Sequence, residues 1–435
     1  MNETMPQNPE QPIWARPDAF PAAPQGWGWL DVKNKSHPCD SLESLSAAIR
    51  DDRDANVTLV WTPGHPQMMV PEELAGVGEA LKTAHARWSH DDLEEANRKL
   101  RWFGLILIGF SAHAFYRGLI LAGQLAAQSG YTPHGWDRLR LATRAVLGST
   151  ECGLALLMFI IFAFIPWYQA RKQRANLTQW TQEGIAKSVS AIRFETWLER
   201  QTAPLTRVFF GLILLVALAQ IFGKVRTEGW GTWMALLHNW DGTSAAGLMK
   251  DRYREGEWWR LFTAPFLHGN IVHFLMNASA LFYLGKRVEV FARWPHLPLV
   301  FLFAACVGGQ ASAFFVPSPS VGASGGLMGW LGFLLVFETL HHRLVPLGAR
   351  RRLAAGVVLT AVIGLIGYRY VDNAAHAGGL LAGMVYAAIV FPPSASPARP
   401  RSTLSDRIAG SAALLVLVAA AAWAVCRILA TAGAI

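Results

Sequence analysis

The sequence predicts an all-α membrane protein whose chain crosses a bilayer several times. Three observations carry this reading. The 435 residues are 52% hydrophobic and only 16% charged, whereas soluble domains carry about a quarter charged residues. Apolar runs recur along the chain at lengths near the roughly 20 residues that one helical crossing needs. Short connectors rich in Lys and Arg separate them, and such connectors set the orientation of successive helices. The net charge of +9 therefore reads as topology rather than as a nucleic-acid surface. The lipid bilayer is the expected surrounding, and no nucleic acid is expected as a partner.

Residues 1–100 are polar and read as an N-terminal cytosolic region of unknown role, either a small domain or a partly ordered tail. Its opening, MNETMPQNPEQPIW, has no basic stretch followed by a short apolar core, so no cleavable secretory signal is expected. VTLVW at 57–61 has the composition of a single strand, and a helix-like stretch runs from Pro71 to Arg101. Nothing in the region has the spacing of a phosphate, metal or nucleic-acid motif. Residues 101–170 hold two further candidate transmembrane helices, Trp102 to Leu125 and Ala145 to Tyr168. The first carries His113 and Arg117 and the second Glu151, and a charge near a helix centre costs about 2.5–3.5 kcal/mol on insertion scales. Either Arg117 pairs with Glu151, or Arg117 snorkels to the headgroups, or the first segment only lies at the interface.

Residues 171–204 read as a basic cytosolic linker. Residues 205–395 then hold six apolar runs: Val208 to Gly223, Pro265 to Gly285, Leu297 to Val316, Gly322 to Leu340, Leu353 to Tyr368 and Ala374 to Phe391. A linker and a seventh run, Ala409 to Ala430, fill residues 396–435. Arg171, Lys172 and Arg174 precede the first core run, Lys286, Arg287 and Arg293 follow the second, and Arg343 and Arg350 to Arg352 follow the fourth. These connectors belong in the cytoplasm. The alternate connectors are poor in charge, the one before the sixth run having only Arg369 and Asp372. Arg138, Arg140 and Arg144 oppose this topology, which puts them outside. The four cysteines, Cys39, Cys152, Cys306 and Cys426, are scattered without pairing or metal spacing and read as inert packing residues.

This topology brings the N-terminal ends of the second, fourth and sixth core helices to the outer face. Each of those ends carries reactive side chains: HGNIVHFLMN at 268–277, GASGG at 322–326 and AHAGG at 375–379. Ser324 and His376 supply a hydroxyl nucleophile and an imidazole to take its proton, the minimum for acyl transfer. Singly, each is more often a packing residue; their pairing at one depth favours chemistry. Gly322, Gly325 and Gly326 permit a tight helix start whose free N–H groups can stabilise an oxyanion. His273 and Asn277 are four apart, so both can point donors at that charge. His268 falls off their face and is given a structural hydrogen bond in the entry loop. Gly325 with Gly329, and Gly379 with Gly383, have the spacing that lets membrane helices touch backbone to backbone, which would bring Ser324 within reach of His376. Asp372, one turn before His376, is a candidate third member of a triad, but a solvated loop-end carboxylate is the preferred reading, so a dyad is expected. Metal is disfavoured, because HExxH is absent and no carboxylate completes the set.

These residues resemble the rhomboid family of intramembrane serine proteases over about residues 205–395. The elements are GEWWRLFTAPFLH leading into HGNIVHFLMN, GxxxE at Gly285 and Glu289, GASG at 322–325, and AHxxGxxxG from Ala375 to Gly383. The resemblance implies a six-helix bundle around a water-filled cavity, with catalytic Ser324 and His376 and an oxyanion hole of His273, Asn277 and the Ser324 N–H. It implies structural roles for Trp259 and Arg260, and no cofactor. It also implies an endopeptidase that cuts single-pass membrane proteins in or near their transmembrane segments, in a bacterial inner membrane. Two departures stand out. Some members have a Tyr one turn after the nucleophile that stacks on the base, where this chain has Met328, and the first 200 residues lie outside the match. The seventh run is similar to the seven-helix variants of the family. Two competing readings are an inactive rhomboid relative that only binds membrane clients, and a transporter. The first usually lacks the nucleophile or base, and the second should show related halves, which this chain does not.

Overall fold

The structure, a computed structural model, describes residues 11–129, 135–177, 182–229, 240, 242–368 and 371–434. Arg369, used above in the topology, lies outside them. The chain forms two compact units. One comprises Pro17–Thr196 and Val362–Tyr368; the other comprises Met1–Arg16, Trp197–Ala361 and Arg369–Ile435.

The first unit opens with an antiparallel sheet, β1 (Trp27–Asp31), β2 (Ser36–Cys39) and β3 (Val57–Trp61), in the order β2-β1-β3. The turn between β1 and β2 closes because Asp31 Oδ1 accepts from the Lys33 and Lys35 amides, both at 2.8 Å, with Asn34 in the left-handed region. Helix α1 (Leu42–Asp51) begins at a capping box between Ser41 and Ser44. It presents Leu45 and Ile49 to a core shared with Val60, Met69, Val77 and Leu81. VTLVW is therefore not a lone strand but an edge of this sheet, hidden from a pattern search because β1 contains Gly28 and Asp31 and β2 contains Pro38.

The helix-like stretch and the first apolar segment are one helix, α2 (Gly78–Ser129), 52 residues long. Next come α3 (Gly135–Gly148), α4 (Thr150–Phe159), a π-helical turn Ile160–Phe164, α5 (Ile165–Leu177) and α6 (Gln182–Arg200). The run Ala145 to Tyr168 is thus broken at Ser149, whose hydroxyl caps α4 by accepting from the Cys152 amide. That hydroxyl also donates to Glu151 at 2.7 Å. Glu151 takes this local partner, while Arg117 lines the same cavity of about 650 Å³. Arg138, Arg140 and Arg144 sit on α3 rather than in a loop.

The seven anticipated core helices are α7 (Pro204–Glu228), α8 (Ile271–Ala292), α9 (His296–Phe315), α10 (Ser324–Leu340), α11 (Leu347–Ile366), α12 (Asn373–Val390) and α13 (Leu404–Thr431), all in the second unit except the end of α11 from Val362 on. Among the described residues six helices are long and apolar enough to cross a membrane: four of these, α7, α9, α12 and α13, and two of the first unit, within Gly78–Gln124 and Glu151–Ala175. Helix α10 is shorter, at 17 residues, and buried over most of its length. A helix apolar all round belongs in the middle of a bundle. Here α9 and α12 cover it. Glycines allow the contact: a Cβ on Gly379 or Gly383 would overlap the carbonyl oxygens of Gly325 and Gly329, one turn apart on α10. Two buried charges are matched, since Arg287 on α8 reaches Glu338 on α10 at 2.7 Å, and an ion pair is what low-dielectric surroundings demand. Glu289 accepts from the Leu205 and Thr206 amides and the Thr206 hydroxyl at 2.8–3.0 Å, closing the start of α7. This is the physical content of the GxxxE pattern, a carboxylate at a positive helix end.

Candidate active site

Three helix starts converge. Asn270 caps α8 by accepting from the His273 amide at 2.9 Å, which fixes the first turn carrying His273 and, one turn on, Asn277. Against that turn lies Gly322, at φ +122°, where only glycine is unstrained. It is also where only glycine fits, because a Cβ would stand 2.6 Å from His273 Cε1 and 3.5 Å from Asn277 Nδ2. Gly322 thus presses the segment leading into Ser324 onto the two predicted oxyanion donors. Nδ2 of Asn277 is buried and has no hydrogen-bond partner among the described residues. An orphaned buried donor is costly and calls for a reason.

On the other side, the Asp372 carboxylate caps α12 by accepting from the Ala375 amide at 2.9 Å. A Cβ on Gly325 would lie 3.7 Å from the Ala375 carbonyl, so the residue after Ser324 and the residue before His376 are near neighbours. Among the described residues no hydrogen bond joins the Ser324 hydroxyl to His376, and His376 Nδ1 is buried without a partner. Catalytic hydrogen bonds often tighten only when substrate is bound. A cavity of about 30 Å³ touches Ser324, Gly322, Pro265 and Ala375. That is room for one or two waters, the other reactant of a hydrolysis.

The long segment before α8 frames these ends. Arg260 is fully buried, donating to Glu257 at 2.5 Å and to the Gly247 carbonyl at 2.8 Å, with its guanidinium 4.6 Å from the Trp259 ring centre. Leu248 and Ser320 exchange two main-chain hydrogen bonds, and the Gly322 amide donates to Ala264. The entry to Ser324 is thereby stitched to the segment that Arg260 organises. At His268 the hydrogen bonds are made by the main chain, whose amide and carbonyl are clamped by the Gln220 side chain, each at 3.0 Å. Its ring packs edge-on against His273 and Phe274. Met328 is buried on α10.

Asp372 is not a solvated loop-end carboxylate. Besides the Ala375 amide it accepts from the Ser320 hydroxyl at 2.6 Å and from Ser312, which in turn accepts from Lys250. Among the described residues no hydrogen bond joins it to the His376 ring. Gln220, Lys250, Ser312 and Ser320 escaped the sequence reading. Only Gln220 left a trace, as a lone amide in an apolar run.

The Rhomboid domain family matches residues 255–393, which contain all three helix starts. Residues 255–393 thus form a region similar to the rhomboid domain. The chain is 37% identical over 145 residues to Rhomboid protease GluP of Bacillus subtilis (strain 168), a match covering 32% of this chain and 28% of that protein. It is 37% identical over 131 residues to RHOMBOID-like protein 6, mitochondrial, of Arabidopsis thaliana, covering 29% of this chain and 42% of the relative. It is also 30% identical over 139 residues to Inactive rhomboid protein 2 of Homo sapiens, covering 31% and 16%. The match thus spans less than half the length of each. With six helices among the described residues long and apolar enough to cross a bilayer, and this domain, the chain is a multi-pass integral membrane protein.

Proposed function

We propose that this protein is an intramembrane serine endopeptidase that hydrolyses peptide bonds in or near the transmembrane segments of single-pass proteins. Ser324 is the nucleophile. His376 takes its proton and returns it to the leaving amine. His273, Asn277 and the Ser324 N–H stabilise the oxyanion. No cofactor is needed for these steps, and the bacterial inner membrane is the proposed location. The observation that carries this reading is the unsatisfied Nδ2 of Asn277 beside Gly322, a donor left waiting next to the nucleophile's helix start. The direct test is whether purified protein in detergent cuts a labelled single-pass substrate. The inactive relatives give the competing outcome: substrate held but uncut would favour client binding.

An oxyanion donor acts mainly in the transition state, so Asn277→Ala is expected to lower kcat with little change in KM. Loss of one such donor typically costs about 3 kcal/mol, reduced here to the extent that His273 and the Ser324 N–H compensate. An unchanged kcat would remove Asn277 from the site.

Substrate choice should follow backbone availability. A carbonyl already hydrogen-bonded within a transmembrane helix cannot be presented to Ser324. Replacing the small and helix-breaking residues in the substrate's outer third by Leu is therefore expected to slow cleavage. Indifference to that change, measured by gel or fluorescence, would refute local unwinding.

A further inference from the structure

Asp372 joins four stretches of chain that are distant in sequence. It is the N-cap of α12, one turn before His376. The Ser320 hydroxyl comes from the segment that enters α10, four residues before Ser324. The Ser312 hydroxyl comes from the end of α9. Behind Ser312 stands the Lys250 ammonium at 2.5 Å, from the short helix Lys250–Arg254, only 4% exposed. The same segment pairs with Ser320 through Leu248. We propose that Asp372 is a positioning residue which sets the register between the nucleophile's entry segment and the helix of the base, with Lys250 as its buried counter-charge.

The arrangement favours positioning over two other roles. A third triad member would have to accept from the His376 ring, and among the described residues no hydrogen bond joins that ring to Asp372, whose three side-chain bonds come from the Ala375 amide and the two serine hydroxyls. A plain helix cap would need only the bond to Ala375. The two serines and the lysine add nothing to capping. They fix where the capped end sits, and small misplacements of a reacting pair are expensive in rate.

Among the described residues, the charges facing this cluster are Lys250 and Arg254 from the short helix and Asp372 and His376 from α12, while α9 and the 320 segment contribute hydroxyls. Burial pushes the Lys250 ammonium down to about 8, with Arg254 adding to the shift and Asp372 opposing it. Below that pH Lys250 is charged and balances Asp372. Above it the carboxylate loses its counter-charge, so activity should decline on the alkaline side near pH 8.

This inference rests on the Ser324 and His376 reading, and the full-length protein in detergent tests the two separately. The measurements are kcat and KM on a single-pass substrate, the pH profile, thermal unfolding, and labelling by a serine-reactive fluorophosphonate. Asp372→Asn keeps an acceptor for Ala375 and loses the charge. We expect kcat to fall about 10²-fold with KM unchanged, a loss typical of a misplaced reacting pair. Lys250→Arg in the otherwise unchanged protein should keep turnover below pH 8 and move the alkaline limb to higher pH, because a guanidinium stays charged. Should Asp372→Asn fail to fold, Ser320→Ala decides, since it removes one hydroxyl and should still slow turnover and labelling. A folded Asp372→Asn with wild-type kcat and an unmoved alkaline limb, or a Ser320→Ala protein with wild-type turnover and labelling, overturns the inference alone. A wild type that neither cuts nor labels overturns the reading beneath it.

Discussion

Ser324→Ala protein is expected to fold, insert and cut nothing. The substitution removes one oxygen at the first residue of α10, where among the described residues the hydroxyl holds no hydrogen bond, so stability should shift by less than about 1 kcal/mol. Turnover should nonetheless vanish, because the lost atom is the one that forms the bond to substrate. His376→Ala should be as severe. It leaves the hydroxyl with no base to take its proton. The two residues act as a unit, so the double variant should be hardly worse than either single one. A fluorophosphonate should label the wild type, label the His376 variant more slowly, and fail on the Ser324 variant. A folded Ser324→Ala protein that still cuts the same bond would end the protease reading.

Gly379→Ala is the second large effect. In an ordinary helix this change is favourable by about 1 kcal/mol. Here the added methyl would overlap the Gly325 carbonyl oxygen, a backbone atom that cannot rotate away, so α10 and α12 must separate. Overpacking of this kind typically costs about 1–3 kcal/mol. The larger consequence is kinetic, because Gly325 follows Ser324 and Gly379 lies one turn beyond His376. Widening the interface displaces nucleophile from base, and about 10²-fold in kcat is the expected loss. Gly211→Ala on α7 is the control, since its added Cβ meets nothing within 4 Å and should leave turnover alone. Equal behaviour of the two variants in activity and thermal unfolding would mean that the glycine contact does not set the site.

Much of the second unit was legible because lipid makes hydropathy a direct readout of helices, and every core run anticipated between Val208 and Ala430 corresponds to a helix. The glycine pairs on α10 and α12 were legible too, since spacing of four on a helix fixes a shared face. Interactions that depend on approach between distant segments were not. Asp372 reads as a loop end in sequence, and only the folded chain shows Ser312 and Ser320 closing on it. Lys250 sits in a polar stretch and gives no hint of burial. The sheet of the first unit was hidden for a different reason, as its strands are four or five residues long and two of the three contain Gly, Asp or Pro.

Helix α2 serves both the sheet core, through Ala80 and Leu81, and the apolar stretch that begins near Trp102. No loop intervenes. Its 52 residues rise 1.5 Å each, about 78 Å in all, so the stretch from Ser89 to Arg101 acts as a mast of fixed height and fixed phase. Deleting one residue there would lower the sheet by about 1.5 Å and swing it through about 100° around the helix axis. Deleting a near-whole turn of seven residues over two turns would shorten the mast while keeping the sheet facing almost the same way. Whatever the sheet meets in the aqueous phase, its bearing is geared to the membrane by the helical repeat.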